Sequence, residues 1–166
     1  MNTYYLLRHG KTNIDPSKPP SEWTLSEDGR TSLQRFARRP LFREVNFVYS
    51  STEAKAYSTA KMIASSLQKK VSQMVNFNEL NRNKGGFIGK YENALREAFS
   101  NIQESRNNWE PCQMTLERFK EGIEILNQKH DHKKILVVSH GIALTLYFAF
   151  LKEEMDNLLS RWKKLR

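Results

Sequence analysis

The sequence predicts a layered α/β domain built around a mostly parallel sheet. Two observations carry that expectation. Short apolar runs alternate with segments whose apolar residues recur every three or four positions, the order produced when strands are joined by crossover helices. Two of the runs also end alike, in Leu7-Arg8-His9-Gly10 and in Val138-Ser139-His140-Gly141. In an open sheet, ligands collect beyond the carboxyl ends of the strands, so both histidines are delivered to that edge.

The elements follow in order. Residues 3–7, rich in aromatic and aliphatic side chains, read as the first strand. Residues 10–24 form a loop in which Pro16, Pro19 and Pro20 exclude regular structure. Ser26 caps a helix that runs to about Arg38, with Pro40 soon after its end. Residues 47–49 make a short second strand, and Ser50 and Glu53 have capping-box spacing for the next helix. Ala56, Ala60, Ile63 and Leu67 give that helix one apolar stripe. Residues 71–77 read as a third strand and residues 79–90 as a loop containing Gly85, Gly86 and Gly89. A polar helix spans Tyr91 to about Glu104, and Leu116, Phe119, Ile123 and Leu126 stripe another. Ile135 to Val138 is the fourth strand, followed by an apolar helix and a mixed-charge tail ending in Lys163-Lys164-Leu165-Arg166.

Composition bounds the possibilities. The 166 residues suit one domain, 1–166, with a sizeable core. With 39% apolar and 27% charged residues the chain reads as globular rather than disordered. A lone cysteine, Cys112, excludes an intramolecular disulfide and suits a reducing compartment; it reads as a packing residue. No secretory signal is visible, and the apolar run 142–151 is too short to cross a bilayer, which takes about 20 residues. A cytoplasmic location is the expectation. The net charge of +9 favours anionic partners. Arg35, Arg38, Arg39 and Arg43 read as a solvated helical face. No zinc-finger spacing or RNP-type aromatic pattern points to nucleic acid.

Five residues carry candidate chemistry. A neutral His9 imidazole can attack phosphorus, and Arg8 offers a fork of donors for phosphoryl oxygens. The neighbouring cation also disfavours protonation of His9. His140 stands before Gly141, which opens a helix whose free amides favour an anion. Lys55 lies in the first turn of its helix, where a cation opposes the macrodipole unless an anion binds nearby. Glu79 is the acid candidate; local sequence does not separate a cleft carboxyl from an exposed loop glutamate. Structural roles for the histidines and a solvent-facing Lys55 are the alternatives. His130-Asp131-His132 has no further ligand at a standard metal spacing and reads as a solvated loop, while Trp109 and Trp162 read as packing residues.

Taken together, these residues resemble the histidine phosphatase superfamily, the phosphoglycerate mutase-like phosphatases and mutases. Leu7-Arg8-His9-Gly10-Lys11-Thr12 is similar to that family's Arg-His-Gly-x-Thr signature, and Leu25-Ser26-Glu27-Asp28-Gly29 to its Leu-Thr-x-x-Gly turn. The segment from Ser50 to Ala60 looks like its Ser-Ser-x-x-x-Arg-Ala-x-x-Thr-Ala stretch. Phe77-Asn78-Glu79 resembles its Leu-x-Glu acid, Glu110 with Arg118 its Glu-Ser…Arg helix start, and Val138-Ser139-His140-Gly141 its second histidine motif. Six segments in the right order cover nearly the whole chain.

The resemblance implies an α/β/α, phosphoglycerate mutase-like fold. It makes His9 the phosphorylated nucleophile, Arg8, Lys55 and His140 the phosphate pocket, and Glu79 the proton donor. It implies no metal and no cofactor, since fixed cations do that work. The expected activity is metal-independent hydrolysis of a phosphomonoester through phosphohistidine, on a small phosphorylated metabolite or a phosphoprotein. A phosphomutase, or a catalytically weak phosphate-binding or interaction domain, is the alternative. Three departures stand out. Lys55 replaces an arginine and loses the bidentate fork. Asp15 replaces an asparagine and would repel substrate unless turned away. The short stretch after Glu79 leaves little room for a large lid, which suits a phosphatase better than a mutase. Specificity falls to the loops 13–23 and 82–91, and the sequence leaves substrate and oligomeric state open.

Overall fold

A computed structural model describes residues 1–165; Arg166, the end of the charged tail, lies outside them. Four strands form one parallel sheet: β1 (Thr3–Arg8), β2 (Phe47–Ser50), β3 (Val71–Gln73) and β4 (Lys134–Ser139), in spatial order β1-β4-β2-β3. Six helices connect and follow them: α1 (Glu27–Phe36), α2 (Ala54–Ser66), α3 (Tyr91–Ser100), α4 (Cys112–Lys129), α5 (Gly141–Leu151) and α6 (Leu158–Lys164). The expected α/β class and largely parallel sheet are what the chain adopts.

β4 lies between β1 and β2 and is covered on both faces, which is why it reads as a continuous apolar run. Its alternation divides the core. Ile135 and Val137 pack with α4, α5 and α6, whereas Leu136 and Val138 pack with Ala56, Ala60 and Ile63 of α2. The stripe predicted on α4 is buried in the first of these clusters. Register then positions the site. Arg8 pairs with Ser139, so His9 and His140 leave adjacent strands at one level. Ser50 pairs with Val138, so Ser51 arrives beside them.

Several local expectations need correction. The third strand stops at Gln73, and Val75–Phe77 is a 3-10 turn. The Ser139 hydroxyl holds that turn through the Phe77 carbonyl at 2.8 Å, which aims Asn78 and Glu79 at the strand ends. Ser50 and Glu53 form no capping box: Ser50 ends β2, Glu53 is the N-cap residue of α2, and its side chain makes no cap bond. α1 ends at Phe36, so only Arg35 of the four arginines is helical, although all four are exposed. Pro20–Glu22 forms a 3-10 turn inside the loop expected to be irregular, and α3 ends at Ser100 rather than near Glu104. The tail folds into α6, where Leu158 and Trp162 are buried. Ser26 does cap α1, accepting from the Gly29 amide at 3.1 Å. Gly29 cannot carry a side chain, because a Cβ there would meet the Lys11 carbonyl oxygen at 2.3 Å.

Candidate active site

The two histidine rings meet with centroids 5.1 Å apart. His9 is anchored by its own backbone, donating its amide to the Ser139 carbonyl at 3.0 Å. Its Nδ1 lies 2.8 Å from the Gly10 carbonyl oxygen. A carbonyl can only accept, so Nδ1 holds the proton and Nε2 keeps its lone pair. Burial first, and then the charges of Lys55, Arg8 and Arg82, pull His9 down to about 3 against the opposing Gly10 bond. The ring is therefore neutral at physiological pH while part of its surface still opens onto a cavity.

His140 is fully buried, with Nε2 2.7 Å from the Ser51 hydroxyl. That hydroxyl donates to Asn78 Oδ1 at 2.8 Å, and Oδ1 is identified as the oxygen because it also takes the Thr52 amide. Ser51 must then accept from His140, so the proton sits on Nε2. Nδ1 is left buried with no partner among the described residues. Burial, followed by His9, Lys55, Arg82 and Arg8, holds His140 well below its ordinary value.

Glu79 is buried. Its Oε1 accepts the Leu80 amide at 3.0 Å and the Ala143 amide at 2.9 Å, and its Oε2 accepts the Ile142 amide at 3.1 Å. The free amides at the α5 N-terminus are thus taken by the Glu79 carboxyl group. Glu110 and Arg118 fix the backbone around it. The Arg118 guanidinium donates to the Glu79 carbonyl at 3.2 Å and pairs with Glu110 at 2.9 Å, and Glu110 accepts the Asn81 amide at 2.9 Å. Burial opposes ionisation of Glu110, but these hydrogen bonds hold its carboxyl below the usual range.

Lys55 is also buried, and it does not face solvent. Its ammonium pairs with Glu53 and donates to the Pro20 carbonyl at 2.7 Å. Glu53 accepts the Glu79 amide on its other oxygen at 2.8 Å and lies 3.7 Å from His140 Nε2. Burial pushes the Glu53 carboxyl up against the pull of Lys55. Sequence reasoning gave Glu53 to a local cap and missed its inward turn. Arg8 donates to the Leu165 carbonyl at 3.1 Å. Its guanidinium passes over the start of α5, where a Cβ on Gly141 would sit 3.4 Å from Arg8 Cζ.

Arg82 is the second residue the sequence reading missed as a site group. Its guanidinium lies over the rings of Tyr91 and Trp109, 4.9 and 5.6 Å from their centroids. Its Nε is buried without a hydrogen bond, and no carboxylate pairs with it among the described residues. The only sequence signal was a basic residue three positions after Glu79, inside an expected specificity loop.

Arg8, His9, Lys55, Glu79 and Arg82 line one cavity of about 330 Å³, bordered also by Trp23, Phe87 and Tyr91. A second cavity, of about 260 Å³, shares Pro20, Glu79 and Arg82 with it but not His9, and the fully buried His140 lines neither. Trp109 and Trp162 are buried in the core as expected, with edges on the first cavity. Asp15 is turned away: it accepts from the Ser17 amide and hydroxyl and pairs with Lys18 at 3.6 Å. Cys112 is buried, its thiol pushed up to about 12 first by burial and then by Glu79 and Glu110. His130 stacks on Phe47 and bonds the Tyr49 hydroxyl, while Asp131 binds His132 and the N-terminal amine.

The chain has no significant match among curated proteins. Its backbone is similar to YhfR of Bacillus stearothermophilus, with TM-score 0.79 and 22% identity over 95% of this chain and 84% of the other. It is also similar to a mycobacterial glucosyl-3-phosphoglycerate phosphatase solved with VO3, with TM-score 0.80 and 20% identity over 93% and 84%. A phosphoserine phosphatase mutant from Entamoeba histolytica, solved with phosphoserine, gives TM-score 0.73 and 17% identity over 100% and 86%. These likenesses establish the shared fold. The family profile of the histidine phosphatase superfamily (branch 1) matches residues 4–163, and with both histidine motifs meeting at the carboxyl edge of the sheet, the chain belongs to that superfamily.

Proposed function

We propose that the protein hydrolyses a phosphomonoester through a phosphohistidine at His9, without a metal ion. The carrying observation is the state of His9: neutral, its proton held on Nδ1 by the Gly10 carbonyl, its Nε2 lone pair uncommitted in a cationic cavity. Nε2 attacks phosphorus as the ester P–O bond breaks, and the leaving oxygen takes a proton from Glu79. Water then attacks the phosphoryl group, giving up a proton to Glu79 and restoring His9 with inorganic phosphate. Glu79 Oε2 carries one amide contact where Oε1 carries two, so Oε2 is the oxygen with room for the transferred proton. Arg8 and Arg82 offset the phosphoryl charge, while the Lys55 charge is met first by Glu53. His140, buried beside His9 and off the cavity wall, supports them by taking a proton on Nδ1, unpartnered among the described residues, when a dianion arrives, with Glu53 3.7 Å from its Nε2.

One observation favours a second reading, a domain that binds phosphate but turns over weakly. Lys55 is paired with Glu53, and Arg8 is bonded to the Leu165 carbonyl, so two of the expected cations are engaged. A metal-free phosphate-release screen over sugar phosphates, phosphoglycerates and phosphopeptides separates the two, since the weak domain binds these esters and releases little phosphate from any. Rapid quenching of an active substrate is expected to trap acid-labile, base-stable phosphate on His9. Label on another residue would overturn the mechanism.

A further inference from the structure

Part of the cavity wall is apolar and suits a ring better than a polyol. Ile14 and Trp23 reach it from the loop after β1; Phe87, Ile88 and Tyr91 reach it from the opposite loop and the start of α3. Two of these are large apolar side chains left open to solvent, Ile14 at 63% and Phe87 at 54%. Exposed apolar groups are ordinary when scattered, but these border one cavity beside a nucleophile. Trp23 offers no donor to a ligand, because its indole N–H is shared between the Asp15 and Lys18 carbonyls at 3.0 and 3.2 Å. Neutral hydroxyl side chains on this wall are confined to Thr12 and Tyr91 among the described residues. A sugar or glycerol leaving group would bring several hydroxyls into this space, and each one desolvated without a partner lowers affinity. An aromatic ring needs no such partners and gains from stacking and apolar burial.

We propose that this site selects phosphomonoesters whose alcohol part is an aromatic ring, held between the Ile14–Trp23 side and the Phe87–Tyr91 side while the phosphoryl group meets His9. This rests on the phosphatase reading above, and the test separates the two. Non-hydrolysable phosphonates report binding without turnover. Benzylphosphonate is expected to bind at least ~10-fold more tightly than ethylphosphonate, the scale of apolar pocket discrimination. Because aryl esters are intrinsically reactive, turnover is compared for 2-phenylethyl and ethyl phosphate, whose alcohols are of similar acidity. The same ~10-fold preference is expected in kcat/KM. Phe87→Ala and Ile14→Ala remove exposed side chains, which leaves no core void, and each is expected to shrink the aromatic-to-ethyl ratio. Equal binding of the two phosphonates would overturn the inference, as would tighter binding of 3-phosphoglycerate or phosphoserine. Hydrolysis of every ester without aromatic preference would sink this inference and leave the phosphatase reading standing. Selective binding of benzylphosphonate with no ester hydrolysed would do the reverse.

Discussion

Two cations reach the His9 cavity by opposite routes. Lys55 comes from the first turn of α2, buried and fixed in place, with its charge met by Glu53 and by the Pro20 carbonyl. Arg82 comes from a loop and lies over the faces of Tyr91 and Trp109, and among the described residues no carboxylate answers its charge. A cation on a rigid element has thus been spent on holding Glu53, which in turn holds the Glu79 amide. The cation on the loop remains available to an incoming anion. Position in a motif and availability to a ligand are different properties, and desolvation separates them. A buried ammonium must find an anion in the protein itself, whereas a partly buried guanidinium stacked on aromatic faces can wait for one.

The largest effect tests what both cations serve. His9→Ala is expected to abolish phosphate release and the trapped phosphoenzyme; retained turnover would mean that the cationic cavity surrounds the wrong nucleophile. Next comes Glu79→Gln, which is expected to slow alkyl phosphates by ~10²–10⁴-fold and aryl phosphates much less, because aryl oxygens leave without a proton. Equal losses would reduce Glu79 to a cap on α5.

The paired substitutions address the comparison directly. Arg82→Ala is expected to weaken vanadate binding more than tenfold, since a charge-assisted hydrogen bond is worth about 1.5–3 kcal/mol, with little change in Tm. Lys55→Ala should do the converse. It strips the partner from buried Glu53 and is expected to cost about 3 kcal/mol of stability, the lower end for breaking a buried pair, because Glu53 can respond by taking up a proton. Glu53→Gln keeps an acceptor for the Glu79 amide while releasing Lys55, and vanadate should then bind more tightly. If Lys55→Ala damages vanadate affinity more than Arg82→Ala does, the division of labour is wrong.

Protonation gives a smaller effect. His9 has a value of about 3 in the fold and 6.5 as the unperturbed reference. Between these the unfolded chain binds the extra proton, so the His9 contribution to stability is present in full above pH 6.5 and is lost as pH falls towards 3. Nitrogen-15 NMR of the ring should show it neutral at pH 5, and a titration midpoint near 6.5 would contradict the burial argument. The smallest expected effect is none: activity should survive excess chelator, because the phosphoryl charge is met by fixed side chains. Loss on chelation with recovery on adding zinc or magnesium would count against the cation reading of both residues.

Much of this architecture was legible in the chain. Two apolar runs ending in His-Gly announced strands that meet at one sheet edge, and the α4 stripe and the Ser26 cap arose where their spacing placed them. Such features depend on short-range periodicity and on a hydrogen bond spanning a few residues, so the local sequence is enough to determine them. The same local logic failed at Ser50 and Glu53. Their capping-box spacing is real, but Ser50 is held in β2, and Glu53 finds better partners in Lys55 and the Glu79 amide, 26 residues away. α6 escaped notice because a seven-residue segment of mixed character shows a face only once α5 supplies something to cover. Arg82 belongs to no motif, and what makes it a site residue is the parallel register that brings His9, His140 and the Glu79 loop to one edge. The sequence by itself determined which groups could do chemistry. The tertiary structure decided which charges were neutralised and which stayed free, because the cost of burying a charge depends on neighbours that local spacing does not encode.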